Sequence, residues 1–330
     1  MVREILSPKA NPWVELAGVC DLDRNKAAEV GAEHQLAVYG SLEEVLADPE
    51  IAAIGLFTGP VGRAALMDRM IEAGKHVMTT KPLEADPEAA LAVLRKARRL
   101  GRAIHLNSPS SLPGADMVQL ARWREELDLG RLVAARAETW VSYREEADGG
   151  WYDDPQKCPV APIFRLGIYL INDLLHLFGP AKRVQVLSSR IFTGRPTPDN
   201  AQLGIEFENG GLANVFASFA VGDGDFYRTS LTLNFENGTV YRNVGPRNSR
   251  LEHGKCVLTC VQPRNGLGKI VAETILPSMS GAYDWASFAR AVRGEPLEGE
   301  ATPEEMVAGV RVIAAMARAE STGSTAEVEN

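Results

Sequence analysis

The chain has no positive charge to spare: 35 Lys and Arg stand against 43 Asp and Glu, a net charge of -8 and a pI near 5.3. Surfaces that bind nucleic acid need clustered basic side chains over phosphate, so nucleic acid is excluded as a general partner. The basic run from Arg95 to Arg102 falls on a predicted helix and reads as a solvated face. No apolar run approaches the ~18 residues of a membrane span, and no charged-then-apolar leader opens the chain, which excludes a membrane partner. The four cysteines, Cys20, Cys158, Cys256 and Cys260, never adopt C-x-x-C spacing. They are expected to be free thiols in a reducing compartment, and the expected location is the cytoplasm. Internal repeats and low-complexity tracts are missing too.

What is present is a soluble composition, 45% hydrophobic and 24% charged over 330 residues, enough for two domains. Residues 14 to 20, VELAGVC, form an apolar run closing on Asp21, and a helical segment follows. Ser41 and Glu44 have capping-box spacing and open a short helix up to Ala47. IAAIGLFT, 51 to 58, is an apolar run without alternation, as expected of a strand covered on both faces. A helix stopped by Gly74 comes next, then HVMTT from 76, then a helix capped by Asp86 with Pro87 at its first position and ended by Gly101. RAIHLN, 102 to 107, completes the series.

Strands alternating with helices predict a Rossmann-type, doubly wound parallel sheet whose ligands collect at the carboxyl ends of the strands. Asp21, Thr58 and Lys81 stand at such ends. An acidic residue closing the second strand of a dinucleotide fold accepts hydrogen bonds from the adenosine ribose, so Asp21 favours NAD, while Arg24 nearby leaves NADP open. The alternative for Asp21 is the N-cap of the helix behind it. No G-x-G-x-x-G occurs anywhere, and thirteen residues precede Val14. The α/β sheet is therefore expected to be N-terminally incomplete, with ladder edges exposed where a central first strand belongs.

From about residue 112 the pattern changes. RLVAARAETWVSYR, KRVQVLSSRIF, AQLGIEFENGGLANVFASFA and YRTSLTLNFENGTVYRNV alternate apolar and polar residues between Asn-Gly and Gly-Gly turns. They predict a mostly antiparallel open sheet, giving an α/β plus α+β chain divided at 1–111 and 112–330. Strands with apolar residues on both sides point to a homodimer or homotetramer through the open sheet. Helices over 280–294 and from Thr302 close the chain before a polar tail. Within FRLGIYLINDLLHLFG, 164 to 179, helical spacing places Arg165, Tyr169, Asn172 or Asp173, and His176 on one narrow polar stripe.

On these motifs the chain resembles the Gfo/Idh/MocA-type oxidoreductases, the family of glucose-fructose oxidoreductase and inositol dehydrogenase. AGKHVMTTKPL, the DPEAA helix and LGIYLINDLLHLFG carry the likeness, which spans nearly the whole chain. It implies that Lys81 touches both substrate hydroxyl and nicotinamide ribose, that the bond to Pro82 is cis, and that Arg165, Gly167 and Tyr169 occupy the family's D-x-G-x-H/Y element. Tyr169 then acts as acid or base, with Lys81 lowering its phenol by charge. Asp21, Thr58, Lys81 and Pro82 are expected around the cofactor, and Arg165, Asn172 and Asp173 around the substrate.

The chain departs from the family at several points. Thr80 replaces a glutamate before Lys81, strand four ends Thr58-Gly59-Pro60, and Asn107-Ser108-Pro109 stands where H-N-R is usual. Arg165 stands where the family has an aspartate, and Asn172 where it has a later one. The charge reversal at Arg165 predicts affinity for an anionic group such as a sugar-acid carboxylate. The expected activity is NAD(P)-dependent hydride transfer at a secondary alcohol or ketone of a sugar, cyclitol or sugar acid, without a metal. Two alternatives stay open: a non-catalytic sugar-binding or sensory relative that has lost the phosphate loop, and an NAD-using glycosidase or lyase.

Overall fold

A computed structural model describes all residues except 8, 9, 11, 225, 226, 246–253, 279, 280 and 330. The first third runs α1 (Val2–Ile5), β1 (Gly18–Val19), α2 (Arg24–His34), β2 (Ala37–Val38), α3 (Leu42–Ala47), β3 (Ala53–Leu56), α4 (Arg63–Glu72), β4 (His76–Thr79), α5 (Pro87–Arg99) and β5 (Ile104–Leu106). Local chemistry fixes these boundaries. The Ser41 hydroxyl accepts from Glu44 N at 3.2 Å and Asp86 accepts from Glu88 N and Ala89 N, each satisfying amides that the first turn leaves free. Gly74 and Gly101 take φ of +81° and +62° just past α4 and α5, a backbone region that costs glycine little.

The parallel layer is split. β1 pairs with β2, and β3, β4 and β5 pair in that order, but among the described residues no strand pairs with both β1 and β3. This is the interruption expected from the missing glycine-rich turn. The larger piece still has a core: Leu56, Met67, Val77, Leu94 and Leu106 are buried together with Met306, Val307 and Val310. Those last three arrive from the far end of the chain, on α9.

The remainder runs α6 (Ala115–Glu126), β6 (Leu132–Trp140), a π-helical turn (Ile163–Gly167), α7 (Ile168–Phe178), β7 (Ala181–Ser189), β8 (Asn200–Phe207), β9 (Leu212–Ser218), β10 (Arg228–Phe235), β11 (Gly238–Arg242), β12 (Lys255–Arg264), β13 (Leu267–Pro277), α8 (Trp285–Val292), α9 (Pro303–Thr322) and β14 (Ala326–Glu327). Nine of these strands make one sheet in the order β13-β12-β11-β10-β6-β9-β8-β7-β14. Only the β6–β9 pairing is parallel, so the fold is a Rossmann-type parallel layer plus a mostly antiparallel open sheet. Alternation gives the large sheet one face of Ala135, Ala137, Leu203, Val215 and Leu231, which buries α7 and Phe164 against it.

Two features depart from the sequence expectation. The hairpin of β12 and β13 was not anticipated, although Asn265-Gly266 turns it, because Lys255, Thr259 and Glu273 interrupt the apolar residues of its open side. The polar tail also contributes a strand, β14, antiparallel to β7.

Candidate active site

The site is assembled where β3 and β4 end. Arg63, in the first turn of α4, is only 1% exposed, and its guanidinium donates to the carbonyls of Thr58, Thr80, Pro82 and Leu83, 3.3 Å in the last case. One buried cation thereby ties together the loops leaving two neighbouring strands. Burial lowers its pKa to about 10, although the Glu84 carboxylate pulls the other way. Glu84, itself buried, accepts from Gly62 N at 3.1 Å and Ala64 N at 2.6 Å, placing negative charge at the start of α4. Nothing in the sequence marked Arg63, because a lone arginine in an amphipathic helix reads as exposed.

Held this way, Lys81 turns into a cleft of about 290 Å³ lined by Thr58, Gly59, Thr80, Pro82, Trp151 and Arg165, among others. The Lys81–Pro82 bond is cis, as the resemblance implied. The Lys81 ammonium donates to the Arg165 carbonyl and stands 4.8 Å from the centre of the Tyr169 ring. Lys81 and Tyr169, 88 residues apart in sequence, therefore meet.

Their electrostatics differ from the sequence expectation. Burial, with Arg165 and Arg63 adding like charge, lowers the Lys81 amine from 10.5 to about 7. Burial also pushes the Tyr169 phenol well above its ordinary range. A lysine that is itself half-neutral near pH 7 gives little of the cationic field expected to acidify the phenol. The group poised to exchange a proton near neutrality is the amine.

Arg165 sits on the π-helical turn, where Gly167 packs directly on Ile163 and Val215; a Cβ there would come within 3.2 Å of Ile163. Its guanidinium lies 3.8 Å from the centre of the Tyr152 ring and 4.6 Å from that of Phe219. It also makes a two-point pair with Glu145, at 2.7 and 3.1 Å. Arg195, 8% exposed, backs the same carboxylate at 3.4 Å and Asp153 at 3.3 Å. Glu145 therefore stands opposite the positive charge that Arg165 brings to the cleft.

The polar stripe of α7 divides at Tyr169. Asn172, Asp173 and His176 face a second, larger cavity of about 840 Å³, which Tyr169 and Asn107 also line. There Asn172 Nδ2 donates to Ser108 Oγ at 2.9 Å, while its Oδ1 lies where a Cβ on Gly309 would stand 2.2 Å away, so the small residue lets α7 and α9 approach. Asp173 accepts from Arg242 at 2.7 Å, and Arg242 also donates to Asp116 at 2.6 Å. Neither Asn172 nor Asp173 lines the Lys81 cleft.

Asp21 stands exposed beyond β1 and accepts from Asp23 N at 3.0 Å. The N-cap of α2 is Asp23, which accepts from Asn25 N and Lys26 N, so Asp21 is left out of that role. A dinucleotide would find Thr58, Gly59, Lys81 and Pro82 at the carboxyl ends of β3 and β4, and an exposed carboxylate at Asp21. The described residues offer no glycine-rich turn for its pyrophosphate, so its nicotinamide end fits this chain better than its middle.

Comparison with known proteins agrees with this geometry. Residues 3–108 match the model of an oxidoreductase family with an NAD-binding Rossmann fold, and residues 117–241 match the GFO/IDH/MocA C-terminal domain. D-xylose 1-dehydrogenase (NADP(+)) 2 of Haloferax volcanii is 26% identical over 327 residues, 96% of this chain and 92% of that protein. An uncharacterized oxidoreductase of Synechocystis sp. is 28% identical over 191 residues, 55% of this chain; the match spans about half, 49%, of that relative. The solved structure of levoglucosan dehydrogenase in complex with NADH and levoglucosan has the same fold, with a TM-score of 0.72 at 15% identity over 96% of this chain and 90% of that one. With both its parallel layer and its open sheet matched, the chain belongs to the GFO/IDH/MocA family of oxidoreductases.

Proposed function

We propose that the chain transfers hydride between a nicotinamide dinucleotide and a secondary alcohol or ketone of a neutral sugar or cyclitol, with Lys81 as acid and base. The observation that carries this reading is the Lys81 amine, brought to about 7 in the cleft beyond β3 and β4, with the centre of the Tyr169 ring 4.8 Å from it. The bound dinucleotide supplies the hydride acceptor or donor. Thr58, Lys81 and Pro82 would hold its nicotinamide riboside, and Asp21 its adenosine ribose. On oxidation of a carbinol, the neutral amine takes the hydroxyl proton as the C–H electrons leave with hydrogen. On reduction, the ammonium returns that proton to the forming alkoxide. The exposed part of Trp151 beside Gly59, with Tyr143 and Tyr227, gives a sugar ring apolar faces and excludes water.

Arg165 lines the same cleft as Lys81, and its charge is met there by a carboxylate. Its pairing with Glu145 leaves little net charge for a substrate carboxylate, so sugars and cyclitols without an acid group suit the cleft better. The related dehydrogenases name D-xylose with NADP(+) and levoglucosan with NADH, which supports the class of substrate and leaves both cofactors open. The split between β1 and β3 favours one competing reading, a sugar binder that does not turn over.

Titration of the protein with NADH and NADPH, followed by turnover on pentoses, anhydrohexoses and inositols, separates the two. Micromolar binding of one nucleotide, with turnover that Lys81→Met lowers about a thousandfold, supports the enzyme. Sugar binding with no nucleotide bound at millimolar concentration supports the binder.

The same reading assigns residues 1–111 to the cofactor and 112–330 to substrate and association, in the cytoplasm. The open side of the large sheet carries Leu187, Leu212, Ile270 and Ile275, all exposed, and is assigned to a homodimer or homotetramer. Light scattering at the single-chain mass of 35.8 kDa would contradict it.

A further inference from the structure

Asn107 follows directly on β5 and is 7% exposed. Its amide makes four hydrogen bonds: Oδ1 accepts from Lys81 N at 3.2 Å and from Thr80 Oγ1 at 3.3 Å, and Nδ2 donates to the Gly281 carbonyl at 3.2 Å and to the Tyr169 hydroxyl at 3.3 Å.

The two ends of an amide are hard to tell apart by shape, but here their assignment is forced by chemistry. A backbone N–H only donates, so the end facing Lys81 N must be the carbonyl oxygen. A backbone carbonyl only accepts, so the end facing Gly281 O must be the NH2. Tyr169 lies on the NH2 side. Its hydroxyl oxygen must therefore accept from Asn107, and its own proton is directed elsewhere.

We propose that Asn107 is a positioning residue for the reaction: it anchors the Lys81 backbone and fixes the Tyr169 hydroxyl as an acceptor toward the protein, so that the phenol proton is free to be donated to substrate oxygen. This rests on the reading of Lys81 and Tyr169 as the reacting pair. It divides their work. Lys81 exchanges the proton, and Tyr169 gives a steady hydrogen bond to the oxygen that gains or loses charge.

Replacing Asn107 by aspartate tests this, because the side chain keeps its size and its acceptor oxygen but loses the donor. The new carboxylate would accept the phenol proton, turning Tyr169 away from substrate, and would add a negative charge close to the amine. The charged and titratable groups already facing Lys81 are Arg63 from α4, Arg165 and Cys158 from the segment before α7, and Tyr169. Those facing Tyr169 are Tyr143, Tyr227 and Tyr283. None of these groups changes in the variant.

Lys81 is followed by reductive 13C-methylation and NMR titration of the whole chain, without cofactor or substrate, so the result does not depend on finding a substrate. In Asn107→Asp its midpoint is expected to rise by about one pH unit. Asn107→Ala is expected to leave the midpoint within about 0.3 unit, since it adds no charge. With a turned-over sugar, Asn107→Asp should move the pH profile of kcat by the same direction and amount, and kcat should fall about tenfold or more with KM changed less. An unmoved midpoint in a folded Asn107→Asp protein overturns the proposal, as does a pH profile that keeps its shape while only thermal stability drops. A shifted midpoint in a protein that turns over no sugar supports the placement of Asn107 and counts against the oxidoreductase reading alone.

Discussion

Two cavities, one lined by Lys81 and the other by Tyr169, handle their buried cations in opposite ways. In the smaller one, about 290 Å³, Lys81 meets Arg63 and Arg165 and has no carboxylate of its own, so burial drives its amine to about 7. In the larger one, about 840 Å³, Arg242 is held between Asp116 and Asp173, and burial is outweighed by two opposite charges that keep it protonated. Lys81 lines the smaller cavity, whereas Tyr169 and Asn107 line the larger, so the proposed reacting pair stands where the two adjoin. What distinguishes the cavities is whether a buried cation has been given a counter-charge: with one it is fixed, and without one it is poised to change state.

The contrast can be broken most sharply on the Arg242 side. Arg242→Met leaves Asp116 and Asp173 beside each other without a cation, and the expected loss of stability is about 3–5 kcal/mol in urea unfolding. The Lys81 titration should stay in place, since none of the groups that shift it is Arg242. A loss below about 1 kcal/mol would mean that the triad is solvated and the two chambers are less different than their geometry indicates.

A second test concerns the sign of the pH dependence. Lys81 has a folded pKa near 7, below its ordinary 10.5. Between these values the unfolded chain holds a proton that the folded chain lacks, so stability rises with pH across that window, and the penalty of charging the buried amine is felt below pH 7. Lys81→Met should remove this rise, and unfolding of both proteins at pH 6.5 and pH 9 checks it. Equal slopes would place the amine in water.

The smallest expected effect sharpens the role of Arg165. Glu145→Gln removes the carboxylate that occupies its guanidinium, so aldonates and uronates should gain about tenfold in affinity relative to the corresponding neutral sugars. Competition against a neutral substrate measures it. No gain would mean that the rings of Tyr152 and Phe219, rather than Glu145, keep anions away.

Much of the molecule was legible because it is local. Ser41, Asp86 and Thr302 cap the helices they were expected to cap, since a cap is decided within three residues of itself. The interrupted parallel layer followed from a turn whose glycines do not occur. Lys81 before Pro82 was legible because a cation at the carboxyl end of an apolar strand has little structural reason to be there. The missing parts depend on distance. Arg63 is bonded to carbonyls as far as twenty residues away, Asn107 reaches residues 26, 62 and 174 positions distant, and Arg242 pairs across 69 and 126. The direction of the Lys81 and Tyr169 shifts was likewise invisible, because burial is a property of the packed chain.

The seam between β1 and β3 has a consequence for how the molecule comes apart. Each of those strands has a side on which, among the described residues, no neighbouring strand locks its amides. Deuterium from solvent should enter there ahead of β4, which is bonded on both flanks. Warming would then loosen the acidic corner at Asp21 while the knot around Arg63 is still intact; on the proposed assignment of Asp21 to the adenosine ribose, that half of a dinucleotide would be released before the reacting half is disturbed.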